Sequence, residues 1–298
     1  MEKITLTFLG TGNAIPTKKR NHTSMLLAYK NYNILIDCGE GTQRQFRQAK
    51  ISPSKLSIIL ITHWHGDHIL GLPGLFQTLH MNDYTKPLLI YGPKGTKSNI
   101  ETIKRLVNIK LNLKVHEISE GKFLETPEFY LSSEKMSHNT PTLAYSFTIK
   151  DKLRLDKSKL KKLKLPNSPI LGELQQGKTI KYKNKTISPK QVSKIEKGRK
   201  ITFILDTSPN KNAEKLAKDS TLLVCESSFS NSEKLQAKEK HHLTASQAAE
   251  IAKKSNSKKL ILTHISQRYE HSPNILLNEA KKVFKQVSLA NDLDVVEV

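Results

Sequence analysis

Lys3–Leu9 reads Lys-Ile-Thr-Leu-Thr-Phe-Leu, an alternation of polar and apolar side chains with the period of a half-buried strand. A glycine turn, Gly10-Thr11-Gly12, closes it. Ser24–Ala28 and Tyr32–Asp37 predict two strands joined as a hairpin around Asn31, and Glu40–Ala49 predicts a helix. Leu56–Ile61 is unbroken apolar sequence, the mark of a buried strand. A helix is expected over 74–82, a strand over Pro87–Tyr91 and a helix over Lys94–Val107. Val115–Ile118, Phe129–Ser133 and Thr142–Ile149 add strands. Beyond residue 200, strands are expected at Ile201–Leu205, Thr221–Cys225 and Lys259–Leu262. Helices are expected at Asn212–Lys218, Ala245–Lys254 and Leu276–Phe284. No fixed-period repeat occurs. Each half runs strands first and helices later, which predicts an α/β (α+β) fold of sheets packed face to face with helices outside.

Residues 150–200 break this order. They lack sustained periodicity and are punctuated by Pro166, Pro169, Gly172, Gly177 and Pro189. The expectation is one domain over 1–298 with a projecting insertion over 150–200. Charge changes the picture here. The chain carries net +22, and this sixth of it holds 17 Lys/Arg against four Asp/Glu, more than half of the excess. So focused a field favours a polyanion, most simply nucleic acid. A membrane surface fits less well, because the segment has no amphipathic helix with aromatic anchors. No apolar stretch approaches the roughly 18–20 residues that cross a bilayer. The N-terminus lacks the sections of a secretory signal. Cys38 and Cys225 follow apolar runs and read as buried thiols in a reducing compartment, so a cytoplasmic location is expected.

The candidate chemistry starts at Thr62-His63-Trp64-His65-Gly66-Asp67-His68, directly after the apolar run 56–61. His63 and His65 point to one side of an extended segment. Gly66 permits a turn, and Asp67 and His68 fall where a helix would begin. Imidazole nitrogen and carboxylate oxygen are ligands for zinc and similar metals. His138, Asp206 and His264 also follow strand-like runs. Loops at strand ends can converge on one rim of a layered sheet structure. Seven ligands exceed what one tetrahedral zinc needs, which points to two Zn2+ ions. His63, His65 and His138 are expected on one, Asp67, His68 and His264 on the other, with Asp206 bridging. Asp37 is expected to fix a ligand imidazole, a purely structural role in its turn being the other reading.

The pattern His63-x-His65-x-Asp67-His68 resembles the metallo-β-lactamase superfamily, which implies a four-layer αββα sandwich with a dinuclear site at one edge. The run Phe8–Asn21, which contains Pro16-Thr17-Lys18-Lys19-Arg20-Asn21, resembles the opening of ribonuclease Z, the endonuclease that removes 3′ trailers from precursor tRNA. Thr263-His264-Ile265-Ser266-Gln267-Arg268-Tyr269 is similar to that family's last metal motif. The basic insertion lies between His138 and Asp206, where the family carries a flexible tRNA-gripping arm, and Leu165–Gly172 resembles the arm's tip.

The resemblance implies precursor tRNA as partner, with Lys161, Lys162 and Lys164 of the arm, and Lys18 and Arg20, at phosphates. It implies Asp67 as proton acceptor as well as ligand. His242 would be the general acid on the leaving O3′, oriented by Glu226. It also implies a homodimer. Two departures stand out. The family's His-Glu-Ala-Thr is here Cys225-Glu226-Ser227-Ser228, and its arm Gly-Pro is Ser168-Pro169. Trp64 is open to two readings, stacking on a base or packing. Two other readings remain open: a small-molecule phosphodiesterase on the same scaffold, or a nucleic-acid-binding protein with a vestigial metal site.

Overall fold

The computed structural model describes residues 2–183 and 185–298. The chain divides into two compact units. The larger comprises Met1–Leu124, Leu131–Phe147 and Lys200–Val298; the smaller comprises Glu125–Tyr130 and Thr148–Arg199.

Two seven-stranded sheets run through the chain, and nearly all of their residues belong to the larger unit. The first runs, in spatial order, Val295–Glu297, Ile4–Gly10, Ser24–Tyr29, Tyr32–Ile36, Ile58–Leu60, Leu88–Gly92 and Leu113–Glu117. The second runs Val287–Leu289, Leu260–Thr263, Leu222–Glu226, Lys200–Ile204, Leu143–Ile149, Phe129–Lys135 and Gly121–Glu125. The sheets face each other. Tyr29 meets Phe147 edge-on with ring centroids 5.5 Å apart, and the Tyr145 hydroxyl donates to Ile61 O at 2.7 Å.

Each outer face is covered by helices. Thr42–Gln48, Leu72–Met81 and Thr96–Val107 pack on the first sheet through Phe46, Leu75, Phe76 and Ile100. Lys211–Ala217, Ala245–Lys254 and Asn274–Val283 pack on the second through Leu216, Ala248, Ile251 and Leu276. The unbroken apolar run 56–61 is thereby explained. Ile59 and Ile61 pack among the helices, while Ile58 and Leu60 turn to the opposite face and are just as buried. Burying each such side chain contributes about 1.5–3 kcal/mol before chain entropy is counted.

Two features aim the site. Lys200–Ile204, Leu222–Glu226 and Leu260–Thr263 are parallel neighbours, so their carboxyl ends share one edge. Tyr32–Ile36, Ile58–Leu60 and Leu88–Gly92 are likewise parallel. Loops after such strand ends are where sites form.

The helix expected over 40–49 starts at Thr42, because Gly41 sits at φ +82° and turns the chain first. The strands Gly121–Glu125, Val287–Leu289 and Val295–Glu297 had no signal in the pattern. The last two are three residues long and show no alternation.

The smaller unit revises the aperiodic reading of 150–200. Lys152–Leu155 pairs with Ser193–Glu196, and Ile180–Tyr182 with Lys185–Ile187. Helices span Lys157–Lys162, Ile170–Gln175 and Pro189–Val192. Asp156 caps the first of these by accepting from Ser158 N and Lys159 N. Leu174, Ile180, Ile187 and Val192 form a small apolar cluster of its own. Pieces of three to six residues hold too little of a period to be read from sequence. The segment closes on itself, with Ile149 N donating to Arg199 O at 2.9 Å. A Cβ on Gly198 would lie 1.8 Å from Ile149 O, so this closure requires glycine.

Candidate metal centre

The loop after Ile58–Leu60 carries His63 and His65 into the site, and the short helix Gly66–Ile69 presents Asp67 and His68. Glycine packing fixes that helix. A Cβ on Gly71 would lie 2.1 Å from Gly39 O, and one on Gly39 would lie 2.5 Å from Asp67 O. The loop after Tyr32–Ile36 can therefore lie against it, with Cys38 N donating to His68 O at 2.8 Å.

All seven side chains expected as ligands meet here. Asp206 is the centre, 2% exposed. Its Oδ1 lies 3.3 Å from His68 Nε2 and 3.2 Å from His264 Nε2. Its Oδ2 lies 3.6 Å from His63 Nε2 and 3.8 Å from His138 Nε2. Asp67 Oδ2 stands 3.4 Å from both His68 Nε2 and His264 Nε2. Ligand atoms of His63, His65, His138 and Asp206 fall within 4.8 Å of one another, as do those of Asp67, His68 and His264. His22, His80, His116 and His271 join no such cluster among the described residues.

The far nitrogens of the rings are tied down. His68 Nδ1 is 2.6 Å from Asp37 Oδ2, and Asp37 also accepts from Thr62 N and Thr62 Oγ1. His63 Nδ1 meets Thr62 Oγ1 at 3.1 Å, and His264 Nδ1 meets Ser228 Oγ at 2.9 Å. His138 Nδ1 meets the carbonyl of His241 at 3.0 Å. Such partners orient metal-binding imidazoles. Asp37 and His264 both hold φ near +55° to +58°, a strained backbone for residues with a Cβ.

A divalent metal fits this donor set. His68 Nε2 and Asp206 Oδ1 are buried and make no hydrogen bond, although nearly all buried polar atoms do. Burial opposes ionisation of Asp206, yet His264 and His68, with smaller help from His242 and His63, hold its carboxyl well below the usual range. Burial likewise opposes charge on His68, and Asp206, Asp37 and Asp67 push it well above the ordinary histidine value. His63 goes the other way, lowered first by burial and then by His68. Carboxylates this buried require a cation beside them.

His242 completes the site. Its Nδ1 sits 3.0 and 3.1 Å from the two Glu226 oxygens, and its Nε2 faces Asp206 Oδ2 at 3.9 Å. Glu226 is fully buried and accepts from Thr207 N and Ser228 Oγ. Burial disfavours the imidazolium, but Glu226 and then Asp206 overcome it and raise its pKa to about 9.

One expectation changes. Arg20 is 4% exposed, and its guanidinium donates to Thr11 Oγ1, Ala290 O and Asn291 Oδ1. Its buried guanidinium ties the largely exposed loop 11–22 to the body of the protein and is not available to a phosphate; Lys18 is exposed. Trp64, left open above, donates Nε1–H to Thr96 Oγ1 and packs, partly buried, beside the helices of the first sheet. Sequence reading missed Thr62, Ser228 and the His241 carbonyl. Ser228 lies 36 residues from its partner and the His241 carbonyl 103, so spacing gave no signal.

Asp37→Asn keeps the shape but removes the charge behind His68. Metal affinity should fall about 10- to 100-fold. Titration with a competing chelator measures this, and unchanged affinity would count against the Asp37–His68 link.

Two facing sheets, helices on both outer faces and a His/Asp cluster at the strand ends define a metal-dependent hydrolase of the metallo-β-lactamase fold. Residues 4–158 match the family described as Anti-Pycsar protein Apyc1; this range includes His63–His68 and His138 but ends before Asp206 and His264. Over 296 residues the chain is 40% identical to the ribonuclease Z of Methanothermobacter thermautotrophicus, covering 98% of this chain and 96% of that one. It is 41% identical to that of Nanoarchaeum equitans, covering 97% and 92%. Among solved structures it is similar to human tRNase Z, short form, with TM-score 0.71 and 26% identity over 98% of each chain. The fold alone is shared with YhfI of Bacillus subtilis, with TM-score 0.73 and 19% identity over 100% of each chain. The chain belongs to the ribonuclease Z family.

Proposed function

We propose that this protein is an endoribonuclease that removes the 3′ trailer from precursor tRNA, leaving a 3′-hydroxyl on the tRNA and a 5′-phosphate on the trailer. The observation that carries this is a buried, under-bonded Asp206 ringed by imidazoles in a chain of the ribonuclease Z family. Two Zn2+ ions, held by His63, His65 and His138 and by Asp67, His68 and His264 with Asp206 between, would supply charge stabilisation at the scissile phosphate and readily ionised water.

The side chains then have separate tasks. Asp67 lines the active-site cavity, and although burial opposes its charge, His68 and His264 keep it ionised, so it orients the attacking water by accepting a hydrogen bond from it as the proton leaves. His242 lines the same cavity, with Glu226 holding Nδ1 so that Nε2 delivers a proton to the leaving O3′. Exposed Lys18, Lys161, Lys162 and Lys164 are the phosphate contacts this reading uses. Family membership supports a homodimer, which sedimentation velocity reads directly. Among the described residues no helix is long and apolar enough to cross a membrane.

Incubation with a precursor tRNA carrying a 3′ trailer, followed by mapping of the new ends, tests the proposal. Cleavage directly after the discriminator nucleotide is expected; an intact precursor in the presence of zinc or manganese would overturn it.

Removal of 151–199 distinguishes this reading from a small-molecule phosphodiesterase. The Ile149–Arg199 closure lets a short linker replace the segment. KM for folded precursor tRNA should rise at least about tenfold. Turnover of a nitrophenyl phosphodiester should persist. Equal handling of precursor tRNA with and without the segment would refute the substrate assignment.

A further inference from the structure

An endonuclease must seat RNA on both sides of the bond it cuts. The active-site cavity, about 360 Å³, has His242, Lys240 and Arg268 in its wall. His138 and Asn139 line it too, and they also line a second cavity of about 450 Å³. That second cavity is walled by Pro93, Lys94, Ile118, Lys135 and Met136 and lies wholly in the larger unit. Its size is within the range of about 300–1,000 Å³ typical of small-ligand sites.

The chemistry assigns the two sides. His242 lines the first cavity and not the second. As the proton donor to O3′, it marks the side where the departing tRNA end sits. The trailer is joined to the same phosphorus through O5′ and keeps the phosphate after the cut. It therefore needs a path away from His242 that accepts negative charge. The second cavity offers two exposed ammonium groups, Lys94 and Lys135. Glu120 approaches Lys135 at 3.8 Å and leaves it partly available, while Lys94 has no ion-pair partner among the described residues. Pro93, Ile118 and Met136 give an apolar wall against which the face of a base can pack.

We infer that this cavity is the subsite for the first nucleotides of the 3′ trailer, with Lys94 and Lys135 at their phosphates. The inference rests on the trailer-removing activity proposed above. Charge holds the strand at its phosphates, while the polar side chains Ser119, Asn139, Thr140 and Thr142 of the same wall are placed to meet bases or sugars.

The experiment compares two precursor tRNAs, one with a trailer of about ten nucleotides and one with a single trailer nucleotide. For K94E/K135E, the ratio of kcat/KM on the long trailer to that on the short one should fall about tenfold below the wild-type ratio. The salt dependence of log(kcat/KM) on the long trailer should become shallower by about one per lysine. Both positions are exposed, so the fold is preserved, and circular dichroism checks it. A ratio equal to that of the wild type, in a wild-type protein that cuts both substrates, overturns the trailer subsite alone. A wild-type protein that cuts neither substrate overturns the endonuclease reading and the subsite with it.

Discussion

Asp206→Asn should abolish metal retention and lower cleavage of precursor tRNA by about 10³-fold or more, at or beyond the upper end of what removing one strong electrostatic contact costs. The substitution is nearly isosteric, so packing changes little. What changes is that one of two oxygens becomes an amide donor. In the native site Oδ1 faces His68 and His264, and Oδ2 faces His63 and His138. An amide placed on either side presents N–H groups to nitrogens that must all act as acceptors toward a cation. One half of the site therefore loses its oxygen whichever way the amide flips. Metal analysis after gel filtration reads the first effect and trailer release reads the second. A variant that retains wild-type metal content and cuts within tenfold of the wild-type rate would remove Asp206 from its central place.

The parts of the site visible in the sequence share a physical cause. Ligands that follow strands were legible because an apolar run announces a buried strand and the polar residue after it announces the rim. That holds for His63 after Ile58–Leu60, Asp206 after Lys200–Ile204 and His264 after Leu260–Thr263. The groups that orient those ligands were not legible, except Asp37. Ser228 and the His241 carbonyl act through contacts set by sheet register and loop shape, which leave no period in the chain. Arg20 shows the opposite failure. An arginine in a basic loop reads as solvent-exposed, yet a buried pocket formed by Thr11, Ala290 and Asn291 takes its guanidinium. Asp292 lies beside it and accepts from Thr11, Asn21 and Gln45, so the C-terminal segment supplies a partner that no local pattern foretells. In the layers, long alternating or unbroken apolar segments were read correctly in type. The elements missed within 150–200 are stabilised by a four-residue core and by caps, and tertiary contacts rather than periodicity decide them.

His242→Ala should lower kcat by about 10²- to 10⁴-fold, the usual worth of a positioned proton donor, with KM for precursor tRNA nearly unchanged. The acid role also sets a sign for pH. Only protonated His242 can donate, so the rate should fall as pH rises through its pKa, which burial depresses and Glu226 and Asp206 together raise to about 9. Glu226 is the larger support, and it bonds Nδ1 directly. Glu226→Gln therefore should shift the alkaline limb of the pH–rate profile to lower pH, besides lowering the rate. The same pairing has a stability consequence of fixed sign. The folded value lies above the unfolded one, roughly 6.5, so the Glu226–His242 pairing stabilises fully below that pH and is lost as pH rises toward about 9. A helix-capping or merely structural role for His242 would leave the alkaline limb where it is in the Glu226→Gln enzyme. A substrate with a better leaving group than O3′ gives an independent check. A nitrophenyl phosphodiester needs little protonation on departure, so His242→Ala should slow it far less than it slows tRNA cleavage. Equal losses on both substrates would show that His242 does something other than deliver the proton.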